Sequence, residues 1–91
     1  MKVTIADLER KITLLNEVTN NPEKPYIFKD DRSIAQIGNY HLAGAYGGYE
    51  LQQIMNEGGG VRDVLYSGYT TKKDLYYLIC AYIQGIESER D

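Results

Sequence analysis

The residues that invite a chemical reading lie together in one stretch, Gly38-Asn39-Tyr40-His41-Leu42-Ala43-Gly44-Ala45-Tyr46-Gly47-Gly48-Tyr49. Glycines let backbone N–H groups come close to a phosphate or carboxylate, and neighbouring tyrosine rings can stack on a planar ligand. The spacing reproduces neither the Gly-x-Gly-x-x-Gly dinucleotide fingerprint nor a P-loop, since no Gly-Lys-Ser or Gly-Lys-Thr follows. A tight hairpin connection needs glycine for its backbone alone and is the preferred reading. The stretch nevertheless holds more tyrosine and glycine than a turn requires.

His41 is the only histidine. A catalytic imidazole needs a nucleophile or an acid held beside it, and the local sequence supplies neither. Strand alternation sets Asn39 and His41 against Tyr40 and Leu42, which makes His41 a polar surface residue. One histidine among scattered carboxylates does not form a metal-ligand set, so no metal and no cofactor is expected. Asp30 and Asp31 are adjacent in a turn-like run, Glu57 and Asp63 flank a glycine-rich tip, and Asp7 and Asp74 are accounted for as helix-start residues. The single Cys80 excludes an internal disulfide; within Leu78-Ile79-Cys80-Ala81 it reads as a buried thiol that behaves as a small hydrophobe. No catalytic constellation emerges, and the chain reads as nonenzymatic.

The cations are few. Lys72 and Lys73 begin a helix after Tyr69-Thr70-Thr71, and backbone donors at that terminus could help to hold an anion. Were a nucleic acid bound, Tyr69, Lys72, Arg62 and one hairpin tyrosine would be its contacts. A formal net charge of -3 disfavours nonspecific binding to nucleic acid or to an anionic membrane. No run is long enough to span a bilayer and no hydrophobic signal core follows Met1, so the expected location is the cytoplasm, with which a free thiol agrees.

The elements that must position these residues follow from periodicity. Thr4 with Asp7 makes an approximate capping box, and Ile5, Leu8, Ile12, Leu15 and Val18 form one apolar stripe, which predicts a helix from Ile5 to Val18 or Thr19. Asn20-Asn21-Pro22 ends it. Tyr26-Ile27-Phe28 is a short β-prone segment, Lys29-Asp30-Asp31-Arg32 has a turn's composition, and Ser33 to Leu42 resumes as strand with Gly38 marking a bulge or close approach. Ala43-Gly44-Ala45 reads as the reversal into a strand whose Tyr49 and Leu51 face the core. Asn56-Glu57-Gly58-Gly59-Gly60 is the strongest turn signal, after which Val61 to Tyr66 returns as a third strand and Ser67-Gly68-Tyr69 turns again. Thr71 caps a last helix from Lys72 to Ile86, with Leu75, Leu78, Ile79, Tyr82, Ile83 and Ile86 on its apolar face and Tyr76 and Tyr77 at the margins. A charged tail, 87–91, follows. With 91 residues the chain has room for one core, and 43% hydrophobic and 25% charged residues are ordinary globular values. The expected fold is a single α+β domain of two layers, α-β-β-β-α, its short antiparallel sheet packed on the terminal helices.

Nine tyrosines beside one phenylalanine and no tryptophan is a less ordinary mixture. Tyrosine dominates many recognition surfaces, and Tyr40, Tyr46, Tyr49, Tyr76 and Tyr77 are the expected protein contacts, with a homodimer covering the open sheet edge. The competing expectation is a small-ligand or single-stranded nucleic-acid module using Tyr40, Tyr46 and Tyr49 beside backbone donors of Gly47 and Gly48.

The words Tyr-His-Leu-Ala-Gly-Ala-Tyr-Gly-Gly-Tyr, Asn-Glu-Gly-Gly-Gly-Val-Arg, Thr-Lys-Lys-Asp-Leu-Tyr and Ile-Gln-Gly-Ile, between Gly38 and Ile86, are similar to small uncharacterised proteins encoded by tailed phages and prophages. Such proteins are often accessory factors acting on a host or phage macromolecule, so the resemblance implies a nonenzymatic binding role. It carries over no catalytic residues, and the first helix lies outside it.

Overall fold

The computed structural model describes residues 2–90. Helix α1 (Ile5–Val18) begins with the full capping box: Thr4 Oγ1 accepts from the Asp7 N–H, and the Asp7 carboxylate accepts from the Thr4 N–H. Arg10 pairs with Asp7 one turn on. The helix ends in a Schellman motif, with Asn20 in the left-handed region (φ 57°), its N–H donating to Glu17 O and the Asn21 N–H to Asn16 O. Asparagine takes the place that glycine usually fills there. Ile5, assigned to the apolar stripe, is exposed, because the core begins one turn deeper at Leu8 and at Val3 before the cap.

Strands β1 (Tyr26–Lys29) and β2 (Arg32–Ala35) pair only with each other, as a two-stranded hairpin closed by Asp30-Asp31, both at positive φ. The expected continuous strand from Ser33 to Leu42 is therefore broken. A turn from Gln36 to Asn39 interrupts it, where the Asn39 N–H donates to Gln36 O and Gly38 sits at φ 94°. Gly38 N–H then donates to Ile54 O while Ile54 N–H donates to Asn39 O, a β-bulge that needs the glycine. A Cβ at Gly38 would also strike the Asn21 side chain.

The main sheet has the order β3-β4-β5, all antiparallel: β3 (Tyr40–Ala45), β4 (Gly48–Ile54) and β5 (Val61–Asp63). The reversal lies at Tyr46-Gly47, one step later than Ala43-Gly44-Ala45, which belong to β3. The third strand is also shorter than expected. It stops at Asp63 because Tyr66 (φ 54°) and Gly68 (φ 64°) turn the chain, and the Asp63 carboxylate closes that turn by accepting from the Gly68 N–H. The chain then returns to the sheet at Thr70, which exchanges both backbone hydrogen bonds with Tyr49.

Helix α2 (Lys72–Ser88) starts from Thr71, whose side chain accepts from the Asp74 N–H. It outruns the expected end by two residues, so only Glu89 and Arg90 follow it; Asp91, the last residue of the expected tail, and Met1 lie outside the described residues. Both helices pack on one face of the main sheet. Leu8, Ile12 and Leu15 from α1 meet Leu75, Ile79 and Ile83 from α2 and Tyr40, Leu51 and Val64 below them. The fold is α+β in two layers, with five strands in two sheets where the sequence indicated three and a short extra one. Cys80 is half-buried at the rim of α2.

Candidate functional site

Each predicted site residue can now be placed. Tyr46 and Gly47 are the two central residues of the β3–β4 turn, at φ 53° and 76°. This is the type I′ geometry, which matches the twist of the flanking strands and favours Asn-Gly. Tyrosine in the left-handed region costs about 1–2 kcal/mol. The residue is nonetheless 96% exposed. Its one aromatic neighbour is Tyr69, edge-on with centroids 5.7 Å apart. Tyr66 repeats the pattern, with a positive φ and 86% exposure.

Gly48 has a packing role. A Cβ there would lie 2.9 Å from the Tyr69 carbonyl carbon and 3.1 Å from Thr70 N and O, so the glycine lets the returning chain close against β4. Gly47 has open space around it and serves the turn through its φ. Neither glycine is arranged as a donor cradle. Tyr49 and Tyr76 are partly buried against the core, Tyr76 lying under the Lys11 ammonium and edge-on to the exposed Tyr77.

Tyr40 must be withdrawn from the contact surface. Its ring is buried, 6.1 Å from Tyr82 in an edge-on pair, and the two hydroxyls share a 3.3 Å hydrogen bond. Both outward backbone groups of Tyr40 are bound by one side chain: Asn16 Nδ2 donates to Tyr40 O, and Tyr40 N–H donates to Asn16 Oδ1, each at 2.9 Å. Burial, then the Tyr82 hydrogen bond and its charge, push the Tyr40 phenol up to about 12 from the usual 10.0. The neutral phenol is thus favoured by folding. That stability is complete below pH 10 and is lost as pH rises toward 12. Absorbance of tyrosinate in an alkaline titration should show one tyrosine ionising last, and Tyr82→Phe should bring it down.

His41 is half-buried on the sheet face turned away from the helices, where it joins a polar chain. Asn39 Nδ2 donates to Pro22 O and Gln52 Nε2 donates to the Glu50 carboxylate, which orients both amides with their oxygens toward the imidazole. His41 Nδ1 lies 3.2 Å from Asn39 Oδ1 and Nε2 lies 3.2 Å from Gln52 Oε1. This arrangement ties β3, β4 and the Pro22 segment together and holds no nucleophile.

Arg62 donates through Nε and Nη2 to Gln53 Oε1 across the β4–β5 pair, so its head is engaged within the sheet. Lys72 follows the Thr71 cap on another element. The structure brings Tyr46 to Tyr69 and does not gather Arg62 with them into a cationic groove. Among the described residues no group of three or more His, Cys, Asp or Glu side chains could hold a metal ion. No helix of the described residues is long and apolar enough to cross a membrane.

Sequence reasoning missed one apolar feature. The β1–β2 hairpin leaves Tyr26, Ile27 and Phe28 exposed, Phe28 at 74%. The signal was present in Tyr-Ile-Phe between Pro25 and a charged turn, but a three-residue run does not reveal whether its strand is covered.

No family model matches this chain, and no curated protein or solved structure gives a match.

Proposed function

We propose that the chain is a nonenzymatic interaction protein, of phage or prophage type, that self-associates as a homodimer and engages a protein partner inside the cell through its exposed tyrosines. The observation that supports this reading is Tyr46. A turn that favours asparagine instead holds a tyrosine in a strained conformation with its ring in water, and Tyr66 does the same in a second turn. Strain retained at an exposed aromatic residue is a mark of use, since stability alone would replace it. Tyrosine suits a protein partner because its ring and hydroxyl combine apolar area with a hydrogen bond at low entropy cost. The resemblance between Gly38 and Ile86 to phage proteins points the same way.

The competing ligand-binding reading needed the rings of Tyr40, Tyr46 and Tyr49 around one opening. Tyr40 is in the core and Tyr49 lies against it, which removes the support for that reading.

Tyr46→Asn provides the test. The variant should gain about 0.5–1 kcal/mol of stability, from relief of the left-handed tyrosine. Sedimentation equilibrium should show weaker self-association at the same time. A variant that is more stable and associates as well as the parent would leave Tyr46 without a binding role.

A further inference from the structure

We infer that the second copy of the chain docks on the free edge of β3, with the two-fold axis at Ala43; this rests on the self-association reading above and specifies its geometry. Ile54 N–H donates to Asn39 O, so alternation turns His41, Ala43 and Ala45 toward β4 and the backbone groups of Tyr40, Leu42 and Gly44 outward. Asn16 binds both groups of Tyr40. Beyond Ala45 the chain turns away at Tyr46-Gly47. Leu42 and Gly44 are left, and among the described residues no hydrogen bond reaches their outward groups.

Two open residues separated by one are self-complementary in an antiparallel pair. With Ala43 on the axis, Leu42 of each copy exchanges both backbone hydrogen bonds with Gly44 of the other, and every open group of the edge finds a partner. A shift of register by two residues would set Gly44 against Tyr40, already bound by Asn16, or Leu42 against Tyr46 in the turn. The edge also lacks the usual guards. Tyr40-His41-Leu42-Ala43-Gly44-Ala45 has no lysine, proline or carboxylate, whereas the β1–β2 hairpin carries Lys29, Asp30, Asp31 and Arg32. Small side chains at Ala43, Gly44 and Ala45 let a second strand approach.

The same register lays the Tyr46 turn of each copy beside the Tyr40 end of the other's β3. A groove of about 270 Å³ lies there, between α1 and the strand, walled by Ile12, Thr13 and Leu42 with Glu9 and Glu23 at its margin. It gives the Tyr46 ring an apolar wall and its hydroxyl a carboxylate acceptor. Each ring buries roughly 150–250 Å² of its own surface. Matched by a similar area of groove wall, the two rings supply about half or more of the ~1,200 Å² at which specific interfaces begin. The strand edges add to this, and the dimer is a weak one.

Two variants test the assignment. At a non-hydrogen-bonded antiparallel position the Cα atoms are about 4.5 Å apart, within reach of a disulfide. Ala43→Cys in a Cys80→Ser background should therefore cross-link nearly completely on mild oxidation. Ala45→Cys in the same background should not, since its two copies would lie ~13 Å apart along the strands. Gly44→Pro removes an outward N–H without touching the β3–β4 ladder and should raise the dimer dissociation constant at least tenfold, with unchanged circular dichroism. Native mass spectrometry of the parent separates the two ideas. A parent that stays monomeric at its highest soluble concentration overturns the self-association reading and this assignment together. A dimer that ignores Gly44→Pro and does not cross-link through Ala43→Cys keeps the reading and overturns the β3 edge. If Gly44→Pro fails to fold, the Ala43→Cys and Ala45→Cys pair decides alone.

Discussion

Asn16→Ala is expected to cost about 3–5 kcal/mol, because it strands a buried backbone N–H and a buried C=O together and leaves a void. Asn16 is 1% exposed, and among the described residues its amide makes the only link between α1 and the β3 backbone that uses both a donor and an acceptor. A domain of this size has a total stability of roughly 5–14 kcal/mol, so the variant loses a large share of it. Thermal unfolding should fall by about 15–30 °C. Leucine fills the space but cannot bond, so Asn16→Leu should remain within about 1–2 kcal/mol of the alanine variant. Full recovery in Asn16→Leu would show that volume alone matters at this position.

Asn16→Asp separates shape from hydrogen bonding. One carboxylate oxygen can still accept from Tyr40 N–H, but the other then faces Tyr40 O, which also only accepts. Burial and this repulsion favour the protonated carboxyl, raising its folded value above the unfolded ~3.9. The folded state then binds more protons than the unfolded one, so stability is retained at acid pH and lost as pH rises through the raised value. Unfolding by urea at pH 4 and pH 7 should show the variant much weaker at pH 7. Equal loss at both values would mean that the second amide contact contributes little.

These contacts mark the boundary of what the sequence made legible. Both helices were readable because an apolar residue every third or fourth position and a threonine cap are local signals, and their ends fell within two residues of the expected ones. The same stripe did not reveal that Asn16, one residue past Leu15, would be buried as deeply as the leucines. Its partner lies 24 residues away, and a polar residue beside an apolar stripe reads as solvated. The sheet was harder for a related reason. Gly38 reads as a bulge or a close backbone approach, yet the break at Gln36–Asn39 that divides one strand into two sheets depends on Ile54. The hairpin reversal was misplaced because Ala-Gly-Ala reads as a turn by composition, whereas the type I′ turn used a tyrosine that propensity would exclude.

The aromatic set divides along the same line. Tyr40 and Tyr46 are six residues apart in one segment and look alike in the sequence. One is fixed in the core by Tyr82, 42 residues away, and the other is left in water. Exposure is a property of the fold, so the sequence could nominate the tyrosines but not sort them. Positive φ at Tyr46 and Tyr66 was not legible at all, and it is the feature that separates an incidental exposed ring from one held against its backbone preference.

Gly48 carries the second large effect. Gly48→Ala should cost about 2–3 kcal/mol, since the added Cβ meets only backbone, at Tyr69 and Thr70, and overpacking at such a point is relieved by chain movement. The movement should open the paired hydrogen bonds of 2.8 and 2.9 Å between Tyr49 and Thr70, and with them the Tyr46–Tyr69 ring pair. Gly47→Ala is the natural comparison, because that position has free space but φ 76°; its cost should stop at about 1–2 kcal/mol. Hydrogen exchange at Tyr49 and Thr70 distinguishes the two: fast in Gly48→Ala, near parental in Gly47→Ala. The Gly48 variant should also lose self-association beyond what its stability predicts, because Tyr69 no longer props the Tyr46 ring at the turn. If it unfolds more easily yet associates normally, the two tyrosines act separately and the turn alone presents Tyr46.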